Sequence, residues 1–369
     1  MSNSLKSRHI MMMAAGTGGH VFPALAVAKA LQARGHQVSW LATSIGMEND
    51  LLKQHHDIQV HQIAIQGIRG NGLLRKLKAP FAILSATLAA RQLMKQQNID
   101  AVAGFGGYVS GPGGLAARSS GIPILIHEQN AIAGMTNSVL ARIANTVCQA
   151  FPNTFQAQEK VITTGNPVRQ EICQIAPPEQ RYAQREQQGS PLKIFIVGGS
   201  LGAKVLNERV PAALAALQMP LQIYHQCGKN QQQATEHIYQ NLTKVDGFDV
   251  KVSPFIQDMA QAYSDADLVI CRAGALTVTE IATAGVAAVF VPLPTAVDDH
   301  QTANARYLAD VGAAKVCPQS TMTSESLAGL LRPLMRREVL FDMAKLAQQQ
   351  AQIQATEQVA DLIEKLFEK

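Results

Sequence analysis

The sequence predicts an α/β protein of two doubly wound, Rossmann-like domains. Three observations carry the prediction. Short apolar runs alternate with longer Ala- and Leu-rich helical patterns along the whole chain, the sign of parallel strands joined by crossover helices. The order of apolar strand, glycine loop and Ala-rich helix at Ile10–Arg34 returns at Leu192–Leu217, so each half opens with its own βα unit. At roughly 100 to 200 residues per domain, a chain of 369 residues makes two.

Ile10–Ala14 is the first strand. The run from His9 to Ala15 resembles a signal-peptide core, but it is short and breaks into glycines instead of a cleavage site. Val38–Ala42, Ala101–Ala103 and Ile124–His127 are the next strands of the first half. Thr163-Thr-Gly-Asn-Pro-Val-Arg169 marks the boundary, followed by a Gln-, Pro- and charge-rich stretch from Gln174 to Ser190 without strong period. Strands of the second half are Leu192–Val197, Leu221–His225, Asp267–Cys271 and Ala287–Val291, and the Gln-rich tail from Arg336 to Lys369 is a packing helix. The expected division is 1–166, 167–345, and a helix at 346–369 returning to the N-terminal domain. Doubly wound sheets bind ligands beyond the carboxyl ends of their strands, so two facing domains place the site in a central cleft.

With 47% hydrophobic and 16% charged residues, and a mean hydropathy of +0.02, the composition is that of a globular protein. A net charge of +5 eases the approach of anionic partners without choosing among them. Nucleic acid is disfavoured, because there is one Trp, aromatics make up 5%, and the basic residues interleave with aliphatics. Cys148, Cys173, Cys227, Cys271 and Cys317 lack the short paired spacing of a zinc or dithiol site and read as reduced thiols. No stretch reaches the roughly 18 to 20 apolar residues of a membrane span; Phe81 to Ala90 is closed off by Lys78 and Arg91.

Four glycine-rich loops directly follow strands. Gly16-Thr-Gly-Gly-His20 precedes a helix with Pro23 near its start, a geometry that turns backbone N–H groups and a helix N-terminus toward a phosphate. A dinucleotide reading fails, because the spacing is not G-x-G-x-x-G and no acid ends the Val38–Ala42 strand. Gly198-Gly-Ser-Leu-Gly-Ala-Lys204 resembles a triphosphate loop, with Ala203 where glycine is needed and Val205 where Ser or Thr is needed. A nucleotide diphosphate fits both. Gly104-Phe-Gly-Gly-Tyr-Val-Ser-Gly-Pro-Gly-Gly114 and Arg272-Ala-Gly-Ala-Leu-Thr-Val-Thr-Glu280 complete the set. Any one of these glycines is equally explained by a tight strand-to-helix turn, but four at one end of two sheets favour a ligand. Asp265-Ala-Asp267 looks like a cation-binding D-x-D but precedes its strand, so it reads as a solvated strand entry, and no metal is expected.

The motifs Gly16–His20, Gly106-Gly-Tyr-Val-Ser-Gly-Pro112, His127-Glu-Gln-Asn130 with Asn137, Thr164-Gly-Asn-Pro-Val-Arg169, Gly198-Gly-Ser200, Arg272-x-Gly-Ala-Leu-Thr277 with Glu280, and Asp299-His-Gln301 with Asn304 resemble the MurG family. These enzymes add N-acetylglucosamine to the first lipid-linked peptidoglycan intermediate, and the motifs run in the same order from about Ile10 to the last helix. The resemblance implies the GT-B fold, inversion at the anomeric centre, and no obligatory metal or cofactor. It implies that Ser200, Ile256, Ala275, Leu276, Thr277, Val278, Thr279, Glu280, His300, Gln301 and Asn304 hold the UDP-N-acetylglucosamine donor. Arg169 would reach the diphosphate, with Thr17, Gly18, Gly19 and Asn130 closing on the sugar. Gly106, Gly107 and Asn137 are expected at the lipid-linked muramyl-pentapeptide acceptor. Leu201, Thr295 and Ala287 replace a frequent Gln, His and Pro, which leaves those side-chain contacts open.

Glu280, read as lying in the first turns of a helix, serves either the helix dipole or two ribose hydroxyls. His20 either packs the following helix or accepts the proton of the attacking hydroxyl, with Glu128 and Tyr108 as competing bases. Arg169 is either a linker ion pair or a diphosphate clamp. Between Asp57 and Asp100 there is no acid, while Arg69, Arg75, Lys76, Lys78, Arg91 and Lys95 all fall there. Leu73, Leu77 and Phe81 recur every fourth position beside them, an apolar stripe with a basic border that suits an anionic membrane surface, or else a core-facing helix with a solvated basic side. The expected location is peripheral, on the cytoplasmic face of the bacterial inner membrane. Other GT-B activities, such as an epimerase or a glycolipid synthase, and a non-enzymatic nucleotide-sugar sensor are the alternatives.

Overall fold

The computed structural model describes residues 6–46, 48–65, 73–199, 202–243, 245–296 and 299–368, with 73–78 described by their backbone alone. Two compact units result: Met1–Arg169 together with Gln352–Lys369, and Gln170–Ala351. The return to the first unit thus begins at Gln352, later than the expected 346.

In the first unit the strands are β1 (His9–Ala14), β2 (Gln37–Thr43), β3 (Gln59–Ile63), β4 (Ala101–Gly106), β5 (Ile124–Glu128), β6 (Thr146–Gln149) and β7 (Val161–Thr163). They form one parallel sheet in the order β3-β2-β1-β4-β5-β6-β7. The helices are α1 (Gly18–Ala33), α2 (Glu48–Leu52), α3 (Leu73–Gln96), α4 (Ser110–Ser119) and α5 (Met135–Leu140). Strand side chains alternate between faces, so β1 feeds two cores. Ile10 and Met12 pack with α1, while Met11 and Met13 pack with the α3 and α4 side.

The second unit holds α6 (Gln170–Cys173), α7 (Pro178–Gln187), β8 (Leu192–Val197), α8 (Lys204–Ala215), β9 (Leu221–Gln226), α9 (Gln232–Gln240), β10 (Phe248–Ser253), α10 (Met259–Asp265), β11 (Leu268–Cys271) and α11 (Ala275–Ala284). It continues through β12 (Ala287–Phe290), α12 (His300–Ala309), β13 (Ala314–Val316), α13 (Ser324–Leu331) and α14 (Arg337–Gln349). Its parallel sheet runs β10-β9-β8-β11-β12-β13.

Burial divides the tail. Leu340, Met343 and Ala344 of α14 join the core of the second unit, whereas Val359, Ala360 and Ile363 of α15 (Ala355–Glu364) join that of the first. Each large aliphatic side chain so buried contributes roughly 1.5 to 3 kcal/mol. Arg34 at the end of α1 secures the helix by donating to Asp361 (2.7 Å), Glu364 (2.8 Å) and Glu357. His36 Nε2 lies 2.9 Å from the Glu364 carboxylate.

Asp267 is not a solvated strand entry. Its buried carboxylate accepts from Arg185 (2.6 Å) and from the Lys193 backbone N–H (2.8 Å), so it ties α7 to the start of β8. Among the described residues no group of three His, Cys, Asp or Glu side chains is placed to hold a metal ion. Nor is any helix among them long and apolar enough to cross a membrane.

Candidate active site

In both sheets the strand order reverses once, between β1 and β4 and between β8 and β11. Loops leaving such neighbours diverge and open a crevice at the carboxyl edge of the sheet. The four glycine loops read from the sequence are the four that flank these two reversals. The helices α1, α4, α8 and α11, into which the four glycine loops lead, begin with no side-chain cap bond and no acid in the first turn. By contrast, α2 carries Glu48 and Asp50 there, α7, α13, α14 and α15 carry Glu179, Glu325, Glu338 and Glu357, and Asp258 caps α10. Those four starts therefore keep the donor N–H groups and partial positive charge that suit an anion.

In the first unit, Gly106 and Gly107 take φ of +101° and +82°. A Cβ on Gly107 would lie 2.2 Å from the Ala15 carbonyl oxygen, so glycine lets the β4–α4 loop press on the β1–α1 loop. Thr17 is exposed, Gly18, Gly19 and His20 are half-buried, and Tyr108 is exposed. Glu48, fully buried and not singled out in the sequence, fixes the β1–α1 loop. Its carboxylate accepts from Gly16 N (3.1 Å), Thr43 N (2.9 Å) and Thr43 Oγ1 (2.6 Å).

Glu128, at the end of β5, is likewise enclosed. Oε1 accepts from the backbone and side chain of Asn130 (2.9 and 3.2 Å), and Oε2 from Gly134 N (3.0 Å) and Asn137 Nδ2 (2.9 Å). Asn137 is buried and also donates to the His127 carbonyl oxygen. His20 Nδ1 lies 2.9 Å from Gln129 Oε1. Arg169 is half-buried, behind the buried Asn166-Pro-Val168.

In the second unit, Gly202 has φ +76°, and a Cβ there would sit 2.0 Å from the Cys227 carbonyl oxygen. Ser200 and Leu201 lie outside the described residues, as does Arg69. Gln301 Oε1 accepts from Ala273 N (3.2 Å) and Leu293 N (2.9 Å), while Asn304 Nδ2 donates to the Ala273 carbonyl (3.2 Å). Both side chains of α12 thus hold the loops after β11 and β12. Arg272 donates to Val291 O and Pro292 O, and burial lowers its pKa.

Glu280 is not in the first turn of α11, so the dipole role does not apply. It is 4% exposed and accepts from the Tyr263 hydroxyl at 3.1 Å. Within Ala275–Glu280 only Leu276 and Thr277 are partly exposed. Val278 has no exposed surface, and Thr279 Oγ1 bonds back to the Ala275 carbonyl. Ile256 is buried and His300 half-buried at the start of α12.

The membrane-facing expectation falls on α3. Leu73, Arg75, Lys76, Leu77 and Lys78 lie on its described backbone, but their side chains are outside the described residues. Further along, Ala86, Ala90 and Met94 are buried, while Phe81, Leu84 and Leu88 are 76%, 57% and 56% exposed. The helix therefore turns Ala86, Ala90 and Met94 to the core and presents Phe81, Leu84 and Leu88 outward, with Arg91 and Lys95 exposed beyond them.

The two parallel-sheet units and their paired loops are those of the two-domain GT-B class, and the family matches make the chain a glycosyltransferase. Residues 10–149 match the glycosyltransferase family 28 N-terminal domain and residues 193–366 the family's C-terminal domain. A relative from Acinetobacter baumannii (strain SDF), named UDP-N-acetylglucosamine–N-acetylmuramyl-(pentapeptide) pyrophosphoryl-undecaprenol N-acetylglucosamine transferase, is 66% identical over 369 residues, covering 99% of each chain. One of the same name from Psychrobacter arcticus is 51% identical over 362 residues, covering 97% of this chain and 99% of its own. The crystal structure of Acinetobacter baumannii MurG is 63% identical with a TM-score of 0.86, covering 97% of this chain and 99% of that one. The chain belongs to the MurG family.

Proposed function

We propose that the chain transfers N-acetylglucosamine from UDP-N-acetylglucosamine to the C4 hydroxyl of undecaprenyl-pyrophosphoryl-N-acetylmuramyl-pentapeptide, with inversion and release of UDP, in peptidoglycan assembly. The observation that carries this reading is the identity of 66% with a transferase of that name over 99% of both chains. The acceptor C4 oxygen forms its bond to the anomeric carbon as the bond from that carbon to the β-phosphate oxygen breaks. The hydroxyl proton passes to the base, and the electron pair leaves with the diphosphate.

His20 is the base favoured by the geometry, since the carboxylate of Glu128 already accepts four hydrogen bonds that organise its own loop. Asn137 and the Gly106–Gly107 turn shape the acceptor side. Arg169 and the acid-free helix starts of the second unit suit the leaving diphosphate, and Glu280 suits the ribose hydroxyls. Phe81, Leu84 and Leu88, in a stretch without acid, support anchoring to the anionic lipid of the cytoplasmic leaflet, where the acceptor lies. Incubation with labelled UDP-N-acetylglucosamine and a muramyl-pyrophosphoryl-polyprenol should yield UDP and a disaccharide-lipid. Epimerised donor, or UDP without the disaccharide-lipid, would overturn the reading.

A further inference from the structure

Gln129 and His127 are buried side chains that the roles above do not use, and hydrogen bonds link them to His20. Backbone carbonyls fix the direction of every bond in this chain. The Gly165 carbonyl, 2.9 Å from His127 Nε2, can only accept, so Nε2 carries a hydrogen. Burial keeps that imidazole neutral, its pKa pushed down to about 4, although Gly165 and Glu128 favour the charged form. His127 Nδ1 is therefore a bare acceptor.

Gln129 Nε2 lies 3.3 Å from that nitrogen and 3.2 Å from the His127 carbonyl oxygen. Turning the amide over would set its oxygen against two acceptors, so the NH2 group faces His127 and Oε1 faces His20 Nδ1 at 2.9 Å. An amide oxygen only accepts, so His20 Nδ1 carries a hydrogen. In the neutral ring this leaves Nε2 bare. A Cβ on Gly106 would come within 3.0 Å of the His20 Nδ1 and Cε1, so glycine there lets the loop after β4 close on the ring.

We propose that Gln129, oriented by His127 and Gly165, is a positioning residue that fixes His20 as its Nδ1–H tautomer and so presents Nε2 to the proton of the attacking sugar hydroxyl. The tautomer rests on the hydrogen bonds together with the burial that keeps His127 neutral, and its use in turnover rests on the reading of His20 as the base. Free neutral histidine favours the hydrogen on Nε2, the wrong nitrogen for this geometry. Holding the ring in the other form removes that competition before substrate arrives.

Nitrogen-15 NMR of histidine-labelled enzyme at alkaline pH, with His20→Gln to assign the signal, reads the tautomer directly. Wild type is expected to carry the His20 hydrogen on Nδ1, and Gln129→Leu to move it to Nε2. A wild-type spectrum with the hydrogen on Nε2 overturns the proposal, and this measurement does not depend on any Gln129 variant folding. Gln129→Leu is also expected to lower kcat by about tenfold or more with donor KM unchanged. Full turnover in that variant, with the tautomer shifted, would overturn the link to catalysis. Wild-type turnover in His20→Ala would instead remove the base reading and leave the tautomer assignment standing.

Discussion

His127 in the first unit and His225 in the second have no exposed surface, and the two differ in where their hydrogen bonds lead. Burial holds His127 at about 4 and His225 at about 3, both neutral. His225 meets the Tyr239 hydroxyl at 3.0 Å and Asn207 Oδ1 at 3.1 Å, and Asn207 Nδ2 donates to the Cys227 carbonyl that crowds Gly202. Every member of that chain is buried, so it braces the turn and ends there. The chain from His127 runs through Gln129 to half-buried His20. A buried neutral histidine is thus no sign of chemistry by itself; the exposure of the last group in its chain decides.

The largest effect should separate these two histidine sites. His20→Ala is expected to slow turnover roughly 10² to 10⁴-fold while leaving donor KM nearly intact, the loss typical of a positioned base. Removing the histidine of the closed chain, in His225→Leu, should lower Tm by stranding the Asn207 and Tyr239 polar groups, with kcat per folded molecule unchanged. Wild-type turnover in His20→Ala would shift the base assignment to Tyr108, and a kcat loss in folded His225→Leu would erase the contrast.

Next comes the lipid side, which belongs to the first unit alone. Replacing Phe81, Leu84 and Leu88 by Ser should weaken binding to anionic vesicles by about 100-fold, since even half-buried each contributes on the order of 1 kcal/mol. Reversing Arg75, Lys76 and Lys78 to Glu should act alike, at roughly 1 kcal/mol per charge, and should fade at high salt. Turnover of a short-chain soluble acceptor should survive both changes. Vesicle pelleting equal to wild type would make α3 an ordinary solvated helix. On the donor side, Glu280→Gln keeps an acceptor for Tyr263 and should raise donor KM about tenfold with kcat little changed, the opposite split from His20→Ala. An unchanged KM would remove Glu280 from the ribose.

Central strands were legible because burial on both faces leaves continuous apolar runs, as in Ile10–Ala14 and Ile194–Val197. The strands that sequence reading passed over, β3, β6, β7, β10 and β13, lie at or next to sheet edges. There polar residues interrupt the run, as at Gln59 and Gln62 of β3, both exposed. Glycine loops were legible because their backbone demands glycine, as at Gly107 and Gly202. Glu48 and Gln129 were not assigned roles, because those depend on bonds across 32 and 109 positions. Gln129 did stand inside a motif, His127-Glu-Gln-Asn130, and its position between two histidine-linked segments was the available signal. Asp267 was misread for the same reason, since its Arg185 partner lies 82 positions away.

The smallest expected effect is on stability against pH, and it tests whether both histidines are neutral by burial. Each binds a proton less readily in the folded protein than at its ordinary value of 6.5. Between those limits the unfolded chain carries more protons, so stability is full above about 6.5 and declines as pH falls, toward about 4 for His127 and about 3 for His225. The informative window is about pH 5 to 6.5, where few ordinary carboxylates titrate. Trp40 is the sole Trp and is buried in the first unit, so its fluorescence follows that unit while circular dichroism follows both. His127→Gln should flatten the pH slope of urea unfolding seen by Trp40, and His225→Gln should flatten only the circular dichroism slope. If the Trp40 slope were the same with and without His127, then burial would not be what keeps that ring neutral, and the direction of its bond to Gln129 would lose its basis.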